Sequence, residues 1–270
     1  MFSAETYAKR RAELRRRIGS GLILLPGNYE APMNYLNNAY NFRQDSTFLY
    51  FFGQSLPALA GVIDADSGAE TLYGDDFTVE DIIWMGPQPS VADLAAEVGV
   101  SQSRPMAALA ADLRHALAQG RKVHYLPPYR GETTLQISQL LGIVPSMVHD
   151  RMSLDLLFAV AEMREVKSDE ELACIEEAFN IGYHMHTTAM RLCRAGRSEH
   201  EIAGAVDGVA MSYGTGVSFA TILSQHGEVL HNHDHSGTLE SGRLRCRRRA
   251  CQRLRVGPYA YLSRERTLYR

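Results

Sequence analysis

Three histidines at alternate positions are the densest group of side chains in this sequence that could do chemistry. His231, His233 and His235 flank Asn232 and Asp234. On a β-strand, alternate side chains point to one face, so the three imidazoles could face one metal ion or one substrate. A closed metal site usually takes its ligands from separate elements, and no partner set stands upstream. A metal cluster, a substrate-contacting histidine and an exposed polar loop are the alternatives that remain open.

A second candidate group precedes an aromatic run. Arg43 and Asp45 stand just before the sequence Phe-Leu-Tyr-Phe-Phe at residues 48–52. An arginine and an aspartate could clamp a substrate through charge-assisted hydrogen bonds, but an ion pair that anchors a turn is the commoner outcome. The single tryptophan, Trp84, is expected in the core rather than in a site.

Hydrophobic periodicity predicts the elements that must position these side chains. Residues 4–18 have helical spacing, and capping boxes at Ser168 and Ser198 predict the first turns of two further helices. Helical spacing also occurs at residues 91–98 and 106–117. Short apolar or β-branched runs bounded by turn residues predict strands at residues 22–25, 48–52, 60–63, 70–73, 122–126 and 217–223 and from Val229 onward. Strands that alternate with helices predict an α/β domain.

These signals divide the chain into an N-terminal α/β domain at residues 1–155, a second unit at 156–244 and an arginine-rich tail at 245–270. The tail carries nine arginines and one acidic residue, Glu265, and it lacks apolar periodicity. An arginine-rich arm can bind nucleic acid. Nothing else in the chain supplies base-reading or stacking elements, so we expect no nucleic-acid partner.

The composition is that of an ordinary globular protein. The chain has 270 residues, of which 45% are hydrophobic and 22% are charged. No apolar run is long enough to span a membrane, and the start of the sequence lacks a signal-peptide pattern. The four cysteines are too few for a disulfide framework. We therefore expect a cytoplasmic protein with reduced thiols and no membrane partner.

Several segments resemble those of one known family. The first domain contains Gly-Leu-Ile-Leu-Leu-Pro-Gly-Asn at 21–28, Phe-Arg-Gln-Asp-Ser at 42–46, Tyr-Phe-Phe-Gly at 50–53 and Trp-Met-Gly at 84–86. In the second unit, Met-Arg-Glu-Val-Lys-Ser at 163–168, Phe-Ala-Thr-Ile-Leu at 219–223 and Leu-His at 230–231 continue the similarity. Together they resemble the Xaa-Pro aminopeptidases, or aminopeptidase P, of the pita-bread metallopeptidase family.

The resemblance implies a creatinase/aminopeptidase P N-terminal domain of the α/β class, followed by an incomplete α+β pita-bread catalytic domain. Members of this family release an N-terminal residue that precedes proline, use two divalent metal ions, expected to be manganese, and form homo-oligomers. By the same resemblance, His231 is the substrate-side hydrogen-bond donor or proton shuttle, and His235 is a second substrate-side candidate. The alternative is a non-catalytic module of the same family that dimerises or binds peptides.

The resemblance stops after Leu244. The metal ligands of the family, two aspartates, a histidine and two glutamates, all stand later in the chain. Suppose that each arginine of the tail is encoded by a CGN codon. Translation of the same codons in a frame shifted by one base could then give Asp-Ala-Gly at residues 247–249 and Tyr-Ala-Ser-Asp-His-Thr-Arg-Thr-Tyr at 254–262. We therefore expect a truncated, frame-shifted catalytic domain whose first aspartates were lost at Arg247 and Gly257. We expect no metal to bind this chain and no peptide to be hydrolysed by it.

Overall fold

Strands and helices alternate in the first of two units, which are divided between Lys167 and Ser168. A computed structural model describes residues 2–214, 216–229 and 231–242, together with the backbone of residues 260–261. In chain order, the elements of the first unit are α1 (Ala4–Ile18), β1 (Leu22–Pro26), α2 (Ser46–Phe52), β2 (Ala60–Asp64), β3 (Glu70–Tyr73), α3 (Val79–Met85), α4 (Val91–Glu97), β4 (Gln102–Arg104), α5 (Met106–Ala118), β5 (Val123–His124), α6 (Gly131–Leu141) and α7 (Leu154–Glu165).

The strands of the first unit form one mixed sheet in the order β4-β3-β2-β1-β5. Strand β1 pairs antiparallel with β2, which pairs antiparallel with β3. Strand β1 also pairs in parallel with β5, and β3 in parallel with β4. The sheet therefore combines a local meander with two parallel pairings that require crossover connections.

Strand β1 is apolar throughout because both faces of the sheet are covered. Alternate side chains of a strand point to opposite faces. Ile23 packs into a core with residues of α1, α2, α4 and α7, whereas Leu24 packs on the other side with residues of α5, including Leu109 and Leu113. Burial on both faces explains why the sequence reads as a continuous apolar run rather than an alternating one. The predicted α/β class is confirmed for this unit.

The aromatic run at residues 48–52 is helical, so the strand predicted there was wrong. The Asp45 carboxylate accepts hydrogen bonds from the amides of Thr47 and Phe48 and so forms the N-cap of α2. The rings of Phe48 and Phe52, one helical turn apart, stack with centroids 5.4 Å apart. A short run that is apolar at every position fits a buried strand and a buried helix equally well, and the cap decides between them.

Two further expectations for the first unit differ from the structure. Trp84 is 80% exposed in α3, in which no residue is buried, so its expected place in the core was wrong. The division between units lies after Lys167 rather than after residue 155, because α7 packs in the first core through Leu156, Ala159 and Val160.

The second unit begins with the two predicted capped helices, α8 (Asp169–Leu192) and α9 (Glu199–Ser212). Both capping boxes are formed, and the helices share a core that includes Ile181, Met185, Ile202, Val206 and Leu223. Two short strands, β6 (Gly216–Val217) and β7 (Ala260–Tyr261), pair antiparallel.

The long strand expected at residues 217–223 is not formed. Only its first residue lies in a strand, β6, and residues 218–229 continue as irregular chain. Leu223 reaches the helical core from this irregular segment and is fully buried. Among the described residues, no helix combines the length and the apolarity needed to cross a bilayer.

Candidate functional site

The histidine-rich segment of the second unit is a loop. Residues 231–237 form a turn followed by irregular chain, so the strand expected from Val229 onward, which would align three imidazoles on one face, is absent from these residues. Leu230 lies outside the described residues. The structure instead separates the three histidines into two places.

His231 and His233 form one pair, and His235 lies apart from them. The rings of His231 and His233 stand nearly perpendicular with centroids 5.0 Å apart, and both side chains are exposed. His235 is half-buried, and its Nδ1 donates to the carbonyl oxygen of Leu223 at 3.1 Å, which leaves Nε2 as the second ring nitrogen. Its ring lies 6.3 Å from that of His200, on α9.

Asp234 shapes the loop between these two places. Its amide donates to Oδ1 of Asn232 at 2.9 Å, and its carboxylate accepts from the amide and the hydroxyl of Ser236 at 3.0 and 2.8 Å. The hydrogen bonds from Ser236, together with the nearby charges of His200 and His235, hold the pKa of Asp234 below its usual range. Asp234 is therefore a carboxylate at neutral pH and acts here as a turn residue.

A buried carboxylate, Glu199, ties this loop to the start of α9. Glu199 is 2% exposed, and its Oε1 accepts from the amide of Gln225 at 2.8 Å. Its own amide donates to the carbonyl oxygen of Gly237 at 2.9 Å. A Cβ at position 237 would lie 2.9 Å from the carboxyl group of Glu199, so a larger residue there would push this carboxyl group aside. The sequence analysis did not predict this contact between Glu199 and the loop. The one sequence signal for it was Gly237, which stands two residues after the last histidine.

The described residues do not assemble a metal site. Among them, no group of three or more histidine, cysteine, aspartate and glutamate side chains could hold a metal ion. Arg247 and Gly257, the positions expected to replace the first aspartates, lie outside the described residues, as does the rest of the tail apart from the backbone of β7. The ligand set that two divalent ions would need is therefore not provided by the part of the second unit that the structure describes.

The second predicted group lies in the first unit. Asp45 is the N-cap of α2, a role that the sequence analysis did not predict for it. The side-chain oxygen of Gln44 accepts from the amides of Asn28 and Asp45 at 2.6 and 2.9 Å, and the amide nitrogen of Asn28 donates to the carbonyl oxygen of Arg43 at 2.9 Å. The segment is thus fastened to the end of β1 by side chains that the sequence analysis did not single out.

Comparison with protein families gives a match to the first unit. The model described as "Aminopeptidase P, N-terminal domain" matches residues 7–125. A probable Xaa-Pro aminopeptidase of Aspergillus flavus is 27% identical over 250 residues, which are 90% of this chain and 49% of that protein. A probable Xaa-Pro aminopeptidase of Metarhizium acridum is 28% identical over 73% of this chain and 38% of its own length. The chain spans about half the length of the curated relatives it matches.

Solved structures share the fold across both units. Zinc-substituted Escherichia coli aminopeptidase P in complex with product has a TM-score of 0.74 and 22% identity, and covers 89% of this chain and 57% of its own. Pseudomonas aeruginosa aminopeptidase PepP has a TM-score of 0.76 and 19% identity over the same shares. At these identities the likeness concerns the fold.

Proposed function

Because the chain belongs to the aminopeptidase P family, we propose that the protein it represents releases the N-terminal residue of peptides in which proline stands second. The observation that supports this proposal is how much of the chain aligns with these relatives. Relatives named as Xaa-Pro aminopeptidases align with 90% of the chain and therefore with both units, not with the N-terminal domain alone.

We propose His231 as the residue that contacts the substrate. Its side chain is exposed in the loop that Glu199 anchors, so a peptide can reach it. A neutral imidazole can donate one hydrogen bond and accept another, which suits a group that steadies the substrate or passes on a proton. His235 is the second candidate, because its bond to Leu223 orients the ring and leaves Nε2 for a further partner.

We further propose that the activity of the full enzyme depends on two divalent metal ions, with manganese as the expected metal. Two such ions, if bound, would supply an activated water and stabilisation of negative charge on the substrate, and they would need several carboxylates from separate elements. The described residues do not fit such a pair. A polypeptide of these 270 residues alone is therefore proposed to hydrolyse no peptide. Its cytoplasmic location stays a prediction.

The alternative role, a module that associates with itself or binds peptides, is favoured by one observation. Helix α3 has no buried residue, and Ile83 and Trp84 are 76% and 80% exposed. Exposed clusters of large apolar side chains mark interaction surfaces in folded proteins. We propose that copies of the chain associate through α3, which is compatible with the peptidase activity of a longer protein.

The test compares two polypeptides under the same conditions. One is the 270-residue chain, and the other is a longer chain in which the reading frame after Leu244 is restored together with the downstream coding sequence. Each is incubated with manganese and with two peptides that differ only in having proline or alanine at the second position. We expect turnover by the longer chain alone, for the proline peptide alone, and its loss on chelation.

Two results would contradict the proposal, and one pair of variants tests the role of His231. Equal cleavage of the alanine peptide would refute the proposed substrate class. Turnover by the 270-residue chain that chelation abolishes would refute its proposed inactivity. In the longer chain, His231→Ala should lower kcat with an unchanged circular dichroism spectrum, and His233→Ala, which alters the neighbouring exposed ring, is the matched control.

A further inference from the structure

A cavity of about 210 Å³ lies in the first unit beyond the carboxyl ends of the parallel strands β1 and β5. Leucine and proline side chains from the ends of both strands and from α7 form most of its wall. The polar side chains that line it are those of Asn28, Asp45, Thr47, Tyr129 and Thr133. In open α/β sheets, ligands bind in the crevice outside the carboxyl ends of the strands.

Three of these polar side chains are mostly buried within the fold and face the cavity. Asn28, Thr47 and Thr133 are 4%, 8% and 9% exposed. The amide nitrogen of Asn28 donates to Arg43 and to Tyr129, but within the described part of the chain no group bonds to its Oδ1. The same holds there for the hydroxyl groups of Thr47 and Thr133. Because these three groups line the cavity, a ligand inside it can form hydrogen bonds with them.

Asp45 is the one acidic side chain among the residues that line the cavity. Burial raises the pKa of this carboxyl group although bonds from Phe48, Thr47 and Tyr129 and the charge of Arg164 act in the opposite direction. A carboxylate has about four acceptor positions, and the two amides of Thr47 and Phe48 both donate to Oδ1 of Asp45. No lysine, arginine or histidine is among the lining residues.

These features together define the occupant. We propose that the cavity binds a small aliphatic ammonium ion, whose N–H groups donate to the carboxylate of Asp45 and the amide oxygen of Asn28. The hydrocarbon part of the ion packs against the leucine and proline wall. An anion has no cationic partner among the lining residues, and acceptor groups outnumber donors around the space. This cavity belongs to the first unit, whereas the proposed peptidase site belongs to the second.

The volume limits the size of the ion. At about 30 Å³ per molecule of liquid water, 210 Å³ corresponds to about seven waters. Pockets for drug-sized ligands range from about 300 to 1,000 Å³. An amine with a branched chain of a few carbons matches this volume.

The test uses the full 270-residue chain and isobutylammonium chloride as the probe. Amide resonances are followed by two-dimensional nitrogen–proton NMR, with isobutanol and sodium isobutyrate as probes of the same shape but neutral or negative. We expect saturable shifts confined to residues 24–28, 45–47 and 126–133. The affinity for the ammonium ion should exceed that for isobutanol at least about tenfold, and isobutyrate should not bind.

Two variants examine the groups that carry the proposal. Asp45→Asn removes the charge but keeps a residue that caps helices equally well, and it should weaken binding at least about tenfold. Thr133→Val should weaken it by a smaller factor. Asp81→Asn is the control, because Asp81 belongs to the capping box of α3 and does not line the cavity.

Four results would contradict binding of an ammonium ion in this cavity. Equal binding of isobutanol, unchanged affinity in both variants, shifts scattered over the surface or absence of saturable binding would each overturn the proposal. If Asp45→Asn fails to fold by circular dichroism, Thr133→Val decides. No readout depends on peptidase activity, so failure here leaves the proposed function untouched.

Discussion

The guanidinium group of Arg11 donates from Nε to a carboxylate oxygen of Glu70 at 2.7 Å. Its other nitrogens donate to the carbonyl oxygens of Phe51 and Val98 at 2.8 and 2.9 Å, and the side chain is fully buried. One side chain of α1 thereby joins α2, β3 and the end of α4. Its removal leaves a carboxylate and two carbonyl groups without their donor.

Arg11→Met should lower the free energy of unfolding of the first unit by about 3 kcal/mol, because breaking a buried pair strands the remaining partner. Arg16→Met is the control. Arg16 pairs with Glu13 on the exposed face of the same helix, where solvent screening leaves ion pairs with little effect on stability. Urea denaturation, with amide hydrogen exchange used to monitor unfolding of the first unit, measures the free energy of unfolding of both variants. Similar losses in the two variants would contradict the assigned role of Arg11.

His124 makes the stability of the first unit depend on pH. Its Nε2 donates to the carbonyl oxygen of Ser20 at 3.1 Å, so Nδ1 accepts from the hydroxyl of Ser153 at 2.7 Å. Burial, aided by the charge of Lys122, lowers the pKa of His124 below its usual 6.5, although Ser20 and Asp155 act in the opposite direction. The unfolded chain therefore binds more protons in the window just below pH 6.5.

We expect the free energy of unfolding to fall as the pH drops below about 6.5, until folded His124 is itself protonated. His124→Gln should remove this component of the pH dependence, whereas His115→Gln, at an exposed position of α5, should keep it. Urea denaturation between pH 5 and pH 8 provides the measurement. Identical pH profiles of wild type and His124→Gln would show that this histidine is not the cause.

Gly61 in β2 lies against an aromatic ring. A Cβ at this position would overlap the ring of Phe52, whereas one at Gly131 would meet open space. Gly61→Ala should lower the free energy of unfolding by about 1 to 3 kcal/mol, the usual cost of overpacking a core. Gly131→Ala should change it by less than about 1 kcal/mol and in the stabilising direction, since alanine favours a helix. Equal effects would contradict the packing of α2 on the sheet.

The exposed face of α3 should govern self-association. Trp84→Ser should raise the dissociation constant of any oligomer at least about tenfold, because a large apolar side chain at the centre of an interface carries much of its binding energy. Leu135→Ser, at an exposed apolar position of α6, is the control. Sedimentation equilibrium over a range of concentrations measures the change. A chain that is monomeric at every concentration would contradict association through α3.

Local signals in the sequence predicted what depends on neighbours along the chain. The capping boxes at Ser168 and Ser198 and the strand β1 follow from residues within a few positions of one another, and all three are formed. The run at residues 48–52 has no period that separates helix from strand, so the prediction failed there. Trp84 was placed in the core on hydrophobicity alone, which says nothing about what lies opposite a helix.

The candidate sites depend on contacts between distant parts of the chain. The anchor of Glu199 on the loop around Gly237 joins residues that no local pattern relates. The cavity likewise brings Asn28 of one loop to Thr47 of α2 and Thr133 of α6. Histidine spacing indicated where chemistry could occur in the second unit, but only tertiary structure could show that His235 separates from His231 and His233.

The order of the strands affects how the first unit folds while it is being synthesised. Strand β1 pairs with β2 at five positions but with β5 at only two, Leu22 with Val123 and Ile23 with His124. Closing the long loop between β1 and β5 costs chain entropy before any pairing offsets it. On the ribosome, β1, β2 and β3 can pair while the chain is still short, whereas one edge of β1 stays open until β5 emerges. The nascent chain therefore passes through an interval in which that edge is accessible to chaperones or to another nascent copy.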